Sequence, residues 1–189
     1  MTGEPRVRLR SSATDDAQLK RIYDRVTRTV GAVPTMYQAL ANSPAILDGW
    51  IGLGWGLRSA STADRGLLEL VILRVAQLNG SEYVWRSHWR AAVKAGVHPR
   101  KLHALSLWRD NDVFTGSERA VLAITDALSR DGSVPDTVWS AVTAEFDDRQ
   151  RVELVMTISW YCCVARVAAG LQVPLEHQHA QVPALDAEP

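Results

Sequence analysis

One carboxylate and one imidazole stand out in this chain by their type and position. Glu69 lies inside the almost wholly apolar segment 67–78, and His88 follows it by nineteen residues on the apolar face of the next predicted helix. A carboxylate in apolar surroundings destabilises a fold unless it is paired, neutralised or used in function. Because imidazole accepts and donates protons near neutral pH, the two residues together predict an acid–base site.

Each of these candidates also has a purely structural interpretation. Arg65 precedes Glu69 by one helical turn, which is the spacing of an intrahelical ion pair. A histidine on the apolar face of a helix is often a core residue that is hydrogen-bonded to backbone. Tyr83 could donate a phenolic proton to a substrate oxygen, and it could equally pack with Trp85 and Trp89. From the residues alone, both interpretations stay open.

The segments that carry these residues are predicted to be helical. Apolar residues recur every three or four positions, and capping residues, glycines and prolines mark the ends of the segments. No segment alternates polar and apolar residues between hairpin turns, so the fold is predicted to be all-α. Asp126 lies in one mostly apolar helix as a second candidate buried carboxylate, which a nearby arginine would stabilise. Helices are predicted at 15–30, from 43, 64–79, 81–96, from 99, from 115, 135–146 and 148–171.

The length of 189 residues fits one domain. We predict a flexible N-terminal arm over residues 1–15, a single helical domain over 16–174, and a loose, polar C-terminal tail over 175–189. Segments 67–78 and 152–171 are apolar on almost every side, so each must be covered from more than one direction. In so short a chain this favours an obligate homo-oligomer.

One short pattern occurs twice. The pattern DRxxxELV begins at Asp64 and again at Asp148, with an apolar continuation in both copies. It places an arginine four residues before Glu69 and before Glu153, which predicts the same ion pair in both helices. We interpret it as an internal pseudo-repeat of two helical units packed about an approximate two-fold axis. Only the first unit carries a histidine, because Gln172 stands at the equivalent position of the second.

Charge and cysteine content argue against several classes of protein. Lysine plus arginine and aspartate plus glutamate each number 21, and neither sign forms a block, so we expect neither nucleic acid nor a membrane as partner. The sequence has no apolar leader and no long uncharged apolar run, which predicts a cytoplasmic protein. Cys162 and Cys163 are the only cysteines, and their adjacency fits neither a metal site nor a disulfide framework. No bound metal is therefore expected.

The first copy of the repeat and the segment after it resemble a known family. Residues 69–72 (ELVI), 79–88 (NGSEYVWRSH) and 95–97 (AGV) are similar to the motif of the carboxymuconolactone decarboxylase and alkylhydroperoxidase D (AhpD)-like superfamily. Further similarities extend the resemblance over roughly residues 30 to 176. It implies an AhpD-like helical fold and a homo-oligomer, either a trimer or hexamer or else a dimer, with the active site near a subunit interface.

The peroxidase branch of this superfamily combines a glutamate, a Cys-x-x-Cys pair and a histidine. Glu69 and His88 match that pattern, but Ser81 and Val84 stand at the two cysteine positions. Because peroxide reduction needs a thiolate and a second thiol to resolve it, these residues disfavour alkylhydroperoxidase chemistry. The resemblance then implies the branch without cysteines, which includes a decarboxylase that uses no metal and no organic cofactor.

By this resemblance, His88 is the acid or base that moves a proton at carbon, and Glu69 orients or shares that proton. Tyr83 or Ser81 is expected to hydrogen-bond a substrate oxygen. The implied function is cofactor-free decarboxylation or isomerisation of a small oxo acid, lactone or cyclic substrate. A flat aromatic wall for that substrate is expected from Trp55, Tyr83, Trp85 and Trp89.

Two other functions stay open at this level. A thiol antioxidant enzyme of the alkylhydroperoxidase or peroxiredoxin type would need Cys162 or Cys163 to be exposed and reactive. A non-catalytic, oligomeric ligand-binding member would have Glu69 fully paired with Arg65 and no cavity beside His88. The contacts of Glu69 and the space beside His88 therefore distinguish the hypotheses.

Overall fold

A computed structural model gives the fold of residues 4–13 and 15–185. The described residues form nine α-helices and two short 3₁₀ helices and contain no β-strand, so the predicted all-α class is confirmed. The α-helices are α1 (Ala17–Val30), α2 (Thr35–Leu40), α3 (Pro44–Ser59), α4 (Arg65–Leu78), α5 (Glu82–Lys94), α6 (Pro99–His103), α7 (Gly116–Asp131), α8 (Asp136–Glu145) and α9 (Asp148–Leu171). The 3₁₀ helices are Leu105–Asp110 and His177–His179.

The corner between α4 and α5 fixes how these two helices meet. α4 begins after Asp64, whose carboxylate accepts a backbone N–H hydrogen bond from the first turn at 3.0 Å. Gly80 then turns the chain in the left-handed region, with a φ of 58°. Ser81 caps α5 by accepting a first-turn N–H at 3.4 Å. The connection is so short that α4 and α5 pack along each other.

α4 is the central helix of the domain. Every residue from 68 to 77 is buried, with an exposed fraction of 8% or less. α5, α7 and α9 all pack on it and cover it from different directions. The apolar surface of segment 67–78 is therefore covered within one chain, and a partner subunit is not needed to explain it.

α9 has 24 residues and is buried on one side only. An 18-residue window of it has a mean hydropathy of 1.6, which by length and composition alone would suit a membrane span. Its inner side packs against α3, α4, α5, α7 and α8. In the structure, 44% of that window is buried. Its outer side leaves Val152, Met156 and Cys163 exposed.

The described part of the N-terminal arm, residues 4–13 and 15–16, runs along the domain and forms no helix. The backbone N–H of Arg6 donates to the Leu171 carbonyl at 3.0 Å, and that of Arg10 donates to the Gln38 carbonyl at 3.0 Å. The arm is thus hydrogen-bonded to the C-terminal end of α9 and to α2. Residues 1–3, 14 and 186–189 of the predicted arm and tail lie outside the described residues.

Residues 175–185 are not a loose tail, contrary to the expectation from their polar composition. Val182 is buried, with 4% of its surface exposed. The indole N–H of Trp85 donates to the Pro183 carbonyl at 3.1 Å, and the Leu185 N–H donates to Glu82 at 3.0 Å. Side chains of α5 therefore satisfy the backbone of this segment, which composition alone does not reveal.

Both copies of DRxxxELV form the predicted ion pair. Arg65 binds Glu69, and Arg149 binds Glu153 at 3.0 Å. The surroundings differ, because Glu69 is fully buried whereas the Glu153 side chain is 13% exposed and accepts two backbone N–H groups of the loop before α4. The likeness thus reaches as far as the ion pair, and a two-fold relation between two units stays a prediction.

Asp126 is a buried carboxylate with arginine partners, as its sequence context predicts. Its Oδ1 accepts from Arg74 Nε at 2.7 Å. Its Oδ2 accepts from Arg74, Trp108 and Arg109 at 3.2, 3.2 and 3.1 Å. The Arg74 and Asp126 side chains are 3% and 7% exposed. This cluster fastens α4 to α7 and to the 3₁₀ helix that precedes α7.

Candidate active site

Glu69 and His88 meet between α4 and α5. Nδ1 of His88 lies 2.8 Å from Oε2 of Glu69, and the Arg65 guanidinium binds Oε1 of the same carboxylate. The Glu69 side chain is fully buried, and that of His88 is 15% exposed. The Glu69 carboxylate therefore contacts both of the partners considered from the sequence, Arg65 and His88.

The contacts of Glu69 determine which nitrogen of His88 carries hydrogen. Burial raises the pKa of Glu69, but its interactions with His88 and Arg65 outweigh burial and hold the pKa below its ordinary value of 4.5. Glu69 is therefore ionised at neutral pH and can only accept hydrogen bonds. Nδ1 of a neutral His88 must then donate to Glu69, which leaves the lone pair on Nε2 for another partner. This is the arrangement of an oriented general base.

A cavity of about 470 Å³ adjoins His88. Its walls come from α2, α3, α5, α9 and the 3₁₀ helix at His177–His179. Gly54 of α3 lies against Trp160, and a Cβ there would make an ordinary contact with the indole at 3.4 Å. Arg58 and Gln178 line the cavity and are exposed, so the cavity reaches the surface. The aromatic residues of its lining are Tyr37, Trp50, Trp55, Tyr83, Trp160 and Tyr161.

Four buried polar atoms on cavity-lining residues have no hydrogen-bond partner within the described part of the chain. They are Oγ of Ser87, the hydroxyl of Tyr161, Oε2 of Glu176 and Nδ1 of His179. Buried polar atoms are paired in most folded proteins, so a group of unpaired ones indicates a place where ligand atoms bind. Their concentration around one cavity, together with the Glu69–His88 contact, makes this the candidate active site.

Tyr161 joins the candidate residues through its contact with His88. The two rings meet edge to face, with centroids 4.9 Å apart and an interplanar angle of 85°. Burial raises the pKa of Tyr161, although the positive charge of Arg58 opposes the rise. The hydroxyl is therefore protonated at neutral pH and can donate a hydrogen bond. The sequence offered only an aromatic residue within an apolar helix, so this candidate was missed.

Among the candidates predicted from sequence, Tyr83 reaches the cavity beside His88. Its hydroxyl lies 3.4 Å from Oε1 of Glu176. Burial, and then the negative charge of Glu176, raise the pKa of Tyr83, so this hydroxyl remains protonated and donates to the carboxylate. Tyr83 therefore holds Glu176 as well as lining the cavity.

Ser81 and Trp85 are not brought to the cavity by the fold. The Ser81 hydroxyl is occupied as the cap of α5. Trp85 is 2% exposed and lies against Trp89 and the C-terminal segment. Their nearness to His88 in sequence does not bring them to the cavity, because the Trp85 indole is engaged by the Pro183 carbonyl of the C-terminal segment. Trp89, expected in the same aromatic wall, is also absent from the lining, whereas Trp55 is part of it.

The two cysteines lie away from the cavity. Cys162 is buried, with its sulfur 3.8 Å from Nδ2 of Asn79, and Cys163 is exposed. Neither belongs to the lining that His88 shares. Within residues 4–13 and 15–185, no group of three or more His, Cys, Asp or Glu side chains is arranged to hold a metal ion.

Because Glu69 is buried and ionised, the free energy of unfolding is expected to depend on pH in the acidic range. Since its pKa in the folded protein lies below the ordinary value of 4.5, ionisation favours folding, and this stabilisation is present above that pH and lost as the pH falls below it. We expect the free energy of unfolding to fall more steeply in the wild type than in Glu69→Gln between about pH 5 and pH 3. Urea unfolding across this range measures it, and equal slopes would contradict the assignment.

Comparison with known proteins identifies relatives of this chain. The model of the carboxymuconolactone decarboxylase family matches residues 44–127. The uncharacterized protein YdfG of Bacillus subtilis (strain 168) is 30% identical over 101 residues, which are 52% of this chain and 69% of YdfG.

Solved structures extend the likeness to nearly the whole chain. An uncharacterized peroxidase-related protein from Silicibacter sp. TM1040 has a TM-score of 0.80 at 15% identity, covering 95% of this chain and 96% of that one. A variant of the debrominase Bmp8 in complex with 2,3,4-tribromopyrrole has a TM-score of 0.77 at 16% identity, covering 93% and 96%. At such identities the likeness concerns the fold alone.

Proposed function

The chain belongs to the carboxymuconolactone decarboxylase and AhpD-like superfamily, and we propose that it is a cofactor-independent enzyme that moves a proton at a carbon atom of a small substrate. The reaction is a decarboxylation or an isomerisation of an oxo acid, a lactone or a related cyclic compound. The observation that carries the proposal is the 2.8 Å contact between Glu69 and His88 beside an aromatic cavity.

An isomerisation uses His88 first as a base and then as an acid. Its Nε2 lone pair removes a proton from a carbon next to a carbonyl group, and the C–H electron pair passes into an enolate. The ionised Glu69 stabilises the imidazolium that forms. The imidazolium returns the proton to another carbon of the enolate, so a double bond moves and the enzyme ends unchanged. In this proposal the Tyr161 hydroxyl donates to the enolate oxygen.

A decarboxylation uses the same groups in a shorter sequence. The substrate carboxylate leaves as carbon dioxide, and the electron pair of the broken C–C bond passes to the adjacent carbonyl group. The resulting enolate takes a proton from the imidazolium of His88. Solvent then protonates the neutral imidazole again. Arg58 at the rim of the cavity supplies a guanidinium that can orient a carboxylate-bearing substrate.

The size and walls of the cavity favour a ring-sized substrate. Trp50 and Trp160 lie with their ring centroids 4.4 Å apart, and both line the volume of about 470 Å³. Apolar walls with a few polar groups are typical of small-molecule sites. The tribromopyrrole bound to the fold neighbour Bmp8 is also a small ring.

Deuterium exchange at carbon tests this function before the natural substrate is known. A set of small cyclic oxo acids and lactones is incubated with the protein in heavy water and followed by NMR. We expect at least one compound to exchange a carbon-bound hydrogen, or to release carbon dioxide, faster than with heat-inactivated protein. If the whole set reacts only at the background rate, the proposal fails.

A thiol antioxidant enzyme makes a different demand on the cysteines. Cys163 is exposed, but neither sulfur lines the cavity that contains His88. We expect the thiol reagent DTNB to label no more than one thiol per native chain, at Cys163, and both thiols after unfolding. Cys163→Ser should abolish native labelling and leave carbon exchange unchanged. Loss of activity in that variant would favour the thiol enzyme.

A non-catalytic ligand-binding protein fits the geometry less well. That hypothesis predicts a Glu69 carboxylate used by Arg65 alone and no space beside His88. Instead, one oxygen of Glu69 contacts Arg65, the other contacts His88, and the cavity adjoins the imidazole.

We also propose that copies of this chain associate, in the cytoplasm and without a nucleic-acid or membrane partner. The support is a set of exposed apolar side chains on the neighbouring helices α3 and α9, namely Ile46, Leu53, Val152 and Met156. On α3, Gly49 and Gly56 have no described neighbour within 4 Å of a built Cβ, which leaves room for close packing of a second helix. Light scattering of the wild type and of Met156→Glu tests it, and a monomeric wild type would refute it.

A further inference from the structure

The C-terminal segment contributes two polar side chains to the cavity. Glu176 and His179 both line it; Glu176 immediately precedes the short 3₁₀ helix, and His179 is the last residue of that helix. The segment is held in place from α5, because Arg86 donates to the Ala180 carbonyl at 2.8 Å and Trp85 donates to the Pro183 carbonyl at 3.1 Å. The two side chains are therefore presented by an anchored stretch of backbone.

The Glu176 carboxylate has one oxygen in use and one without a partner. Its Oε1 accepts from the Thr35 N–H at 2.9 Å and from the Tyr83 hydroxyl at 3.4 Å. The Thr35 hydroxyl shares its single hydrogen between this oxygen at 2.9 Å and the Pro174 carbonyl at 2.7 Å. Oε2 of Glu176 is buried and has no hydrogen-bond partner among the described residues. The contacts with Thr35 and Tyr83 at Oε1 fix the orientation of the carboxylate, so Oε2 is a preoriented acceptor.

The His179 ring offers the complementary donor. Its Nε2 lies 3.2 Å from the side-chain nitrogen of Gln178. Because an amide NH₂ group only donates, Nε2 must accept, and the hydrogen of a neutral ring is then on Nδ1. Burial lowers the pKa of His179 against the opposing charge of Glu176, so the ring is neutral at pH 7. Nδ1 is buried without a partner in the described chain.

We propose that Glu176 and His179 together bind a hydroxyl group of the substrate. A hydroxyl can donate to Oε2 of Glu176 and accept from Nδ1 of His179 at the same oxygen atom, which neither a carbonyl oxygen nor an ammonium group can do. Resting on the proposed function, this narrows the substrate class to small cyclic compounds with a phenolic, enolic or alcoholic hydroxyl. In the proposed function His88 transfers a proton at a carbon of the same ring, so Glu176 and His179 determine specificity and orientation.

Binding of matched probes tests this without requiring turnover. Benzoate and its three monohydroxy isomers share a ring and a carboxylate, and they differ only in the presence and position of the hydroxyl. We expect at least one hydroxylated isomer to bind the wild type about ten-fold more tightly than benzoate, as measured by titration calorimetry or NMR. Equal affinities, or no binding of any isomer at about 10 mM, would overturn the proposal.

Two variants assign the effect to the pair. Glu176→Gln keeps an oxygen that can accept from Thr35 and replaces the acceptor Oε2 by an NH₂ donor. His179→Phe keeps an aromatic ring at this position and removes the Nδ1 donor. Either change should abolish the preference for the hydroxylated probe while leaving benzoate affinity and the melting temperature near wild-type values. Glu145→Gln, on the exposed side of α8, is the matched control and should keep the preference. A preference that survives both cavity variants would overturn the assignment.

The outcome is separable from that of the proposed function. His88→Gln should retain the preference for the hydroxylated probe, because neither Glu176 nor His179 is changed. If the protein proves inactive towards every carbon acid tested, hydroxyl recognition still stands or falls on the binding data. If the preference is missing in an active enzyme, only the present inference fails.

Discussion

Replacing His88 by glutamine is expected to lower the rate of proton exchange at substrate carbon by about 10²–10⁴-fold. Glutamine can still donate a hydrogen bond towards Glu69, which His88 contacts at 2.8 Å, but it offers no basic nitrogen to the cavity. The buried carboxylate therefore keeps a partner, and the free energy of unfolding should change by no more than about 1 kcal/mol. Exchange rates in heavy water and urea unfolding measure the two quantities separately.

A control histidine makes this result specific. His103 packs against Trp89 on the far side of α5 from the cavity, with ring centroids 5.2 Å apart. His103→Gln removes an imidazole of the same size and should leave the exchange rate unchanged. If His88→Gln retains the wild-type rate, or if both variants lose activity in parallel with stability, His88 is a packing residue and the acid–base mechanism is wrong.

Removing the carboxylate of Asp126 is expected to lower the free energy of unfolding by about 3–5 kcal/mol. Asp126→Ala leaves the buried Arg74 guanidinium without the carboxylate that accepts from it at 2.7 and 3.2 Å. The Trp108 indole N–H loses its acceptor at the same time. Because the Arg74 side chain is only 3% exposed, these bonds are lost from a buried charge, which is costly.

An exposed aspartate on another helix calibrates this effect. Asp148 pairs with Arg151 at the start of α9, and its side chain is 95% exposed. Asp148→Ala should change stability by less than about 1 kcal/mol, because exposed ion pairs contribute little. Urea unfolding of both variants at neutral pH provides the comparison. A loss below about 1 kcal/mol in Asp126→Ala would show that the cluster does not stabilise the contact between α4 and α7.

The elements that hold the catalytic candidates could be predicted from the sequence. α4 and α5 are marked by apolar residues at helical spacing and by Asp64, Gly80 and Ser81 at the corner between them, and all of these signals are local. The contact between Glu69 and His88 follows from that corner. The local sequence pattern of α4 and α5 was therefore sufficient to predict the Glu69–His88 part of the site.

The rest of the cavity depends on contacts between distant parts of the chain, which no local pattern encodes. Arg58, Tyr161 and Glu176 come from α3, α9 and the C-terminal segment, and each has an ordinary sequence context. Trp85 shows the converse, because it is close to His88 in sequence and yet packs under the C-terminal segment. The sequence predicts which face of α5 an aromatic residue occupies. It does not predict which distant segment covers that face.

The hydrogen bonds between Glu176 and Thr35 join positions 141 residues apart, and they close one end of the cavity with a segment that lies after the last long helix. The acid–base couple, in contrast, belongs to the buried centre of the domain. In the proposed function, proton transfer and substrate selectivity thus depend on separable parts of the polypeptide. Exchanging residues 175–185 between relatives could change which molecule is accepted, while the machinery that transfers the proton stays as it is.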